Sequence, residues 1–319
     1  MKLTGIGIAA TAPGGIHSLE QLAAFLEYAR SLGYDLVELD VSPAAVIVDG
    51  RVRQPQVQAL ANTIRASGVR VSVHGLMRLN LAYDARHEVC KRIMACQIEV
   101  CAALGATRLV YHSGLQALDA LRYAVRSTPL SDAELAEGAM REVAAFRELA
   151  PLAAQAGVTI GMENGDSHQW EHALLARYGL PRSDLAKHHA RLRIEPIVAQ
   201  IQAIDHPNVA MTLDIAHLFI AANDLGFDYL QAVETAAPWV AHLHANDNFG
   251  RLDQGFDTES DRYAFGEADI HLPPGWGAIP YQEVFARLPN YHGDLILEIK
   301  PGFYAYFGES LDTMRRLVG

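Results

Sequence analysis

The sequence predicts a (β/α)8 barrel: an α/β fold of parallel strands, one domain over residues 1–319, with insertions on its C-terminal face. Three observations predict it. Short β-rich runs alternate with longer helical patterns from end to end, glycines mark the passages from helix to strand, and acidic or histidine residues recur at one end of the strand runs.

The strand runs are Leu3–Ala9, Leu36–Asp40, Arg70–Gly75, Arg108–Gly114, Val158–Asn164, Val209–His217, Val240–Asp247 and Asp294–Lys300. Between them, apolar residues recur at three-to-four spacing over Leu19–Leu32, Val57–Ser67, His87–Leu104, Asp132–Ala156, Ile194–Ile204, Phe227–Ala237, Tyr281–Leu288 and Ser310–Leu317. That is the period of a helix with one buried stripe. Strict alternation requires crossover connections, hence parallel strands, and eight units close a barrel. Gly33, Gly68, Gly105 and Gly157 stand where a helix must stop and a strand begin, a place suited to a residue free to take positive φ. A doubly wound open sheet loses, because no GxGxxG turn follows the first strand.

The 319 residues exceed the roughly 250 that such a barrel typically needs. The surplus falls in Leu115–Leu130, Asp166–Arg193 and Arg251–Ala268. Each follows a strand, so each decorates the face where barrel active sites form, as a substrate lid or a subunit contact.

Half the residues are hydrophobic and a fifth charged, with a formal net charge of −11. That balance suits a sizeable core and speaks against a broad nucleic-acid surface. Cys90, Cys96 and Cys101 share one helical stretch without a CxxC motif, the pattern of reduced thiols in a cytoplasmic protein. The apolar opening Met1–Pro13 is explained better by a first strand than by a signal peptide. No stretch is long and apolar enough to span a membrane.

The polar residues at the strand ends carry the chemistry. The third and fourth runs end at His74 and His112, and the fifth at Glu163. The sixth holds Asp214 and His217, the seventh His242, His244 and Asp247, and the eighth Glu298 and Lys300. A charge at the end of an apolar strand is costly to desolvate unless it is paired or bound to metal. If Glu163, Asp214, His244 and Glu298 point inward, one imidazole and three carboxylates converge on the axis. That donor set suits a hard or borderline divalent ion: Mn, Zn, Co or Mg.

On these residues the chain resembles the xylose-isomerase-like TIM-barrel superfamily, which holds sugar-phosphate isomerases and epimerases and the family 2 apurinic/apyrimidinic endonucleases. The matching pieces are His-Gly-Leu-Met-Arg-Leu-Asn-Leu-Ala from His74, Glu163-Asn164, Asp214-Ile-Ala-His217, His244-Ala-Asn-Asp247, Asp269-Ile-His271-Leu-Pro-Pro-Gly-Trp-Gly and Leu297-Glu298. The resemblance implies Glu163, Asp214, His244 and Glu298 as ligands of one metal. It also implies the two glutamates as acid and base on opposite sides of a ketose, with His217 on a substrate hydroxyl. It equally implies a three-metal alternative. His74, His112, Glu163, Asp214, His217, His244, Asp269, His271 and Glu298 match the endonuclease ligands in order and strand.

Two departures disfavour the hydrolase. Asn-Gly-Asp-Ser-His and a long insertion follow Glu163 where the endonucleases have a short Gly-rich turn, and the inserted Arg122, Arg126, Arg177 and Arg182 are accompanied by acidic residues. The remaining candidates have plainer readings. Lys300 could bind a substrate phosphate or carboxylate, or form a salt bridge with Glu298 or Asp247. Trp276 could stack on a sugar or anchor its Pro-Pro-Gly-Trp-Gly turn. His17 fits a substrate contact or an ordinary turn, and His242 a core histidine. His168, His172, His188 and His189 read as solvated loop residues, with His168 able to reach the site. Phe303, Tyr304, Tyr306 and Phe307 fit an apolar wall or an oligomer interface.

The sequence therefore reads as a metal-dependent sugar isomerase or epimerase working by enolisation, or a lyase on an oxidised sugar. The alternative is a three-metal phosphoesterase. The expected partners are a small carbohydrate and further copies of the same chain, with neither membrane nor nucleic acid.

Overall fold

All eight predicted runs fold as strands of a closed parallel barrel in a computed structural model that describes residues 1–40, 45–255 and 258–319. The barrel strands are β1 (Lys2–Ala9), β2 (Leu36–Asp40), β3 (Arg70–His74), β4 (Arg108–His112), β5 (Thr159–Glu163), β6 (Val209–Asp214), β7 (Val240–Ala245) and β8 (His292–Leu297). Each pairs with its neighbour in sequence, and β1 closes the ring against β8 with Ile6 opposite Leu295. Every strand runs the same way, so every strand end that bears a polar residue opens on one face.

The helices begin and stop where side chains satisfy their free ends. Ser18 accepts from the amide of Gln21 to start Leu19–Leu32, and Gly33 ends it at φ 95°. A reciprocal Ser131–Glu134 capping box starts Asp132–Gln155. The inner stripes of the helices around the barrel, among them Phe25, Leu26, Met94 and Phe146, are buried in one core with the strands. Each such side chain contributes on the order of 1.5–3 kcal/mol. Among the described residues no helix is long and apolar enough to cross a membrane.

Two strand runs stop three residues earlier than expected. The sixth ends at Asp214, whose carboxylate accepts the amides of Ala216 and His217 at 2.8 and 2.7 Å and so starts the helix Ile215–Leu225. His217 therefore lies in the first turn of a helix. The continuous apolar run from Ile215 hid this helix, because such a run fits strand or helix alike. The eighth ends at Leu297, with Glu298 held beyond it by its amide bonded to Ala245 O. A short antiparallel pair, Ile47–Val48 with Arg51–Val52, follows β2 and was not expected.

The insertions after β4 and β5 are folded against each other. Ala117 donates to His188 O and Ala190 to Leu115 O, each at 2.8 Å. Leu118, Leu121, Leu175, Leu185 and Leu192 bury a second apolar cluster beneath them. The third insertion carries the helix Glu259–Phe265, and its residues 256–257 lie outside the described residues.

Candidate metal centre

Register brings the polar strand ends together in pairs. His112 lies opposite Glu163 across β4 and β5, and Asp214 lies opposite His244 across β6 and β7. Because the pairing is parallel, those residues share one layer at the same end of the barrel. Glu298 follows β8 at the level just above His244.

Five groups of donor atoms result among the described residues, each with its ligand atoms within 4.8 Å of one another, and three of them gather the predicted site residues: Glu163, Asp214, His244 and Glu298; His74, His112 and Glu163; and His217, Asp269 and His271. In the first, His244 Nδ1 lies 2.8 Å from Glu163 Oε1 and 3.3 Å from Glu298 Oε1. In the second, His112 Nε2 lies 2.9 Å from Glu163 Oε2 and 3.3 Å from His74 Nε2. In the third, His217 Nε2 lies 3.5 Å from Asp269 Oδ2, and His271 Nε2 is in contact with the same oxygen.

The imidazoles are oriented from behind. Nδ1 of His74 is 3.0 Å from Gly75 O, that of His217 3.3 Å from Asn164 O, and that of His271 2.7 Å from Glu298 O. Each ring is thereby turned to offer Nε2, the arrangement in which a backbone acceptor fixes the tautomer of a ligand. His271 holds its place at φ 45°, a left-handed conformation uncommon outside glycine.

Electrostatics show how tightly opposed charges are packed. Burial pushes the Glu163 carboxyl up, but His112 and His244 overcome it and hold the group well below its usual range. Asp214 is pushed up to about 6, by burial first and then by Glu298 and Glu163 against the pull of His217. Burial works against a charged His244, yet Glu298, Glu38 and Glu163 raise it well above its ordinary value.

The residues fit a divalent ion. Asp214 is wholly buried, and its Oδ2 has no hydrogen-bond partner among the described residues. Asp269 Oδ1 is likewise buried without one. A buried carboxylate oxygen left bare beside imidazole nitrogens is a cost that a cation removes. Oxygen and nitrogen donors suit Mn, Zn, Co or Mg, and the three thiols are buried in the helix His87–Leu104.

Sequence reasoning passed over Glu38. It is buried on β2, accepts from Ser72 Oγ at 2.8 Å, and lies 2.9 Å from Nε2 of both His242 and His244. The signal was present in Leu-Val-Glu-Leu-Asp, a charge inside an apolar strand. His242 thus serves the core through Glu38. The histidines of the strand-five insertion are not solvated as expected: His172, His188 and His189 are buried, with His172 on Asp224 and His189 on Glu171. His168 pairs with Asp166 at 3.0 Å.

Three other candidates sit outside the clusters. Lys300 Nζ bonds Asp269 O at 3.2 Å and lies 3.3 Å from Glu259, not Glu298 or Asp247. The Trp276 ring packs on Phe303 and Tyr306, with its N–H on Glu309. His17 Nε2 bonds Gly14 O within its own turn.

A sequence model of the family described as xylose isomerase-like TIM barrel matches residues 26–317. Among curated proteins none matches in sequence. Similar structures include a D-tagatose 3-epimerase-like protein, at 18% identity and TM-score 0.64 over 99% of this chain and 100% of that one. The 3-keto-D-glucoside 4-epimerase of E. coli gives 18% and 0.65 over 98% and 99%. The D-psicose 3-epimerase of Clostridium cellulolyticum H10 gives 17% and 0.64 over 99% of both chains. A barrel whose polar strand ends meet on one face, matched by that family along nearly its whole length, leaves one assignment: the chain belongs to the xylose isomerase-like TIM-barrel family.

Proposed function

We propose that this chain is a divalent-metal-dependent sugar isomerase or epimerase that moves a carbon-bound proton of a ketose or related sugar. The observation that carries the reading is the convergence of Glu163, Asp214, His244 and Glu298 with a bare carboxylate oxygen among them. A divalent ion held there supplies Lewis-acid polarisation of a sugar carbonyl. Glu163 and Glu298 are the proton acceptor and donor, and both approach the same nitrogen of His244 from the ends of different strands. His217 is the candidate for a substrate hydroxyl, with Lys300 and Trp276 at the margin. Lyase cleavage of an oxidised sugar uses the same first step. The likeness to sugar epimerases supports the substrate class, and the buried thiols agree with a cytoplasmic, reduced setting. The aromatic residues after β8 are the proposed contact between copies.

A second reading has its own observation. The nine residues that match the endonuclease ligands are spanned by three of the donor groups, with Glu163 shared by two, which is enough for three ions. That arrangement favours phosphate-ester hydrolysis. Against it, Arg126 and Arg182 are paired with Glu134 and Asp224 and so are engaged before any phosphate arrives.

Incubation with ketoses in heavy water tests the choice. Deuterium entering beside the carbonyl, and lost in Glu298→Gln with metal still bound, is the expected result. Cleavage of a phosphate ester or abasic DNA, without exchange across a broad sugar panel, refutes it.

A further inference from the structure

Arg191 is a supported cation with no ion-pair partner among the described residues, its charge acting only at longer range on the buried carboxyl of Glu142. Its Nε donates to Nε2 of His189 at 3.0 Å, and Nδ1 of that ring lies 2.7 Å from Glu171 Oε1. Glu171 also accepts from Gln116 Nε2 at 2.6 Å. Because its Nε2 accepts, His189 is neutral and carries its proton on Nδ1, towards Glu171. All three supporting residues are buried. A surface arginine is not held this way.

The same arginine stands at the candidate centre. Its backbone oxygen accepts from Gly165, two residues past Glu163, at 3.0 Å. A Cβ added to Gly165 would lie 2.8 Å from Arg191 Nε and 3.0 Å from His189 Nε2, so glycine leaves room for this side chain. The guanidinium is therefore close to the β5 end.

Its two terminal nitrogens have neither a hydrogen-bond nor an ion-pair partner among the described residues. An arginine that served only to hold the insertion would direct those donors to protein carbonyls or carboxylates. Here a rigid planar fork, the geometry that matches carboxylate and phosphate oxygens, is left over beside the centre.

We propose that Arg191 recognises the carboxylate or phosphate of an anionic sugar whose uncharged portion rests on the Glu163, Asp214, His244 and Glu298 group. The inference rests on the sugar reading above and narrows it to sugar acids or sugar phosphates.

Calorimetric titration of the metal-loaded protein with D-glucitol, D-gluconate and D-glucitol 6-phosphate tests it without relying on turnover. At least one anion should bind about tenfold or more tightly than glucitol. Arg191→Gln should erase that advantage with a much smaller change for glucitol and unaltered metal content, and Arg191→Lys should keep part of it. Arg191→Met, which retains the stem's packing, gives the same readout should the glutamine variant fail to fold. A gluconate preference identifies a carboxylate, and a preference for the 6-phosphate a phosphate ester. Anions bound no tighter than glucitol, or an advantage unchanged in the variants, overturns the inference. A lack of deuterium exchange alongside an intact, Arg191-dependent anion preference would instead sink the proton-transfer reading alone.

Discussion

Glu38 Oε1 lies 2.9 Å from Nε2 of His244, while Nδ1 of the same ring lies 2.8 Å from Glu163 Oε1. The imidazole thus faces a carboxylate outside the four-residue group on one side and presents its other nitrogen to that group. A carboxylate behind a ligating histidine fixes its tautomer and raises its basicity. Glu38→Gln should therefore weaken metal binding roughly tenfold to a hundredfold with the barrel intact. Competition with a chelator measures it, and unchanged affinity would remove Glu38 from the site.

The four-residue group should hold its ion independently of the outer groups. In His271→Ala, which breaks the His217, Asp269 and His271 group, at least one ion per chain should remain. Elemental analysis of wild type and variant checks this. Three ions in wild type and two in the variant, with phosphate-ester cleavage, would establish the hydrolase instead.

Glu142 should make stability fall as pH rises towards neutrality. Its Oε1 accepts from Tyr111 and the Gly114 amide, while Oε2 is buried without a partner. Burial raises its carboxyl to about 7. A folded-state value above the unfolded one gives stability that is present below the unfolded value near 4.5 and lost as pH rises through about 7. The wild type should lose up to roughly 3 kcal/mol across that window. Glu142→Gln should flatten the dependence in thermal melts at pH 4.5 to 8, and an equally steep variant would refute the assignment.

Gly277→Ala should destabilise the Pro-Pro-Gly-Trp-Gly turn. The Asp247 carboxylate accepts the amides of Asn248, Gly275 and Ile279 at 3.0, 2.8 and 3.2 Å. A Cβ on Gly277 would collide with that carboxylate and with Asn248 O. A cost of about 1–3 kcal/mol follows, read as a lower melting temperature. A melting temperature equal to wild type would mean that the turn is not held as tightly as Asp247 suggests.

The barrel was legible because its signals are local. Each strand run is short and apolar, and each helix carries its own periodic stripe and caps. Glu163, Asp214, His244 and Glu298 were legible for the same reason, since a charge at the end of an apolar run stands out in the sequence. His217 was misplaced because the apolar run after Asp214 reads as continued strand. Glu38 was overlooked because its meaning depends on His242 and His244, two hundred residues away in the chain. Arg191, His189 and Glu171 were opaque too. Their burial is created by two insertions folding on each other, which no single stretch of sequence records.

Asp214 sets a limit that its position in the chain imposes. One of its oxygens already receives two amides at the start of the helix Ile215–Leu225, which leaves Oδ2 alone to face the centre. An ion held there would meet Asp214 through that oxygen, since the helix start already claims the other. On the proposed reading the two glutamates and His244 would supply the remaining protein donors, so that the way a helix begins would leave room for a ligand.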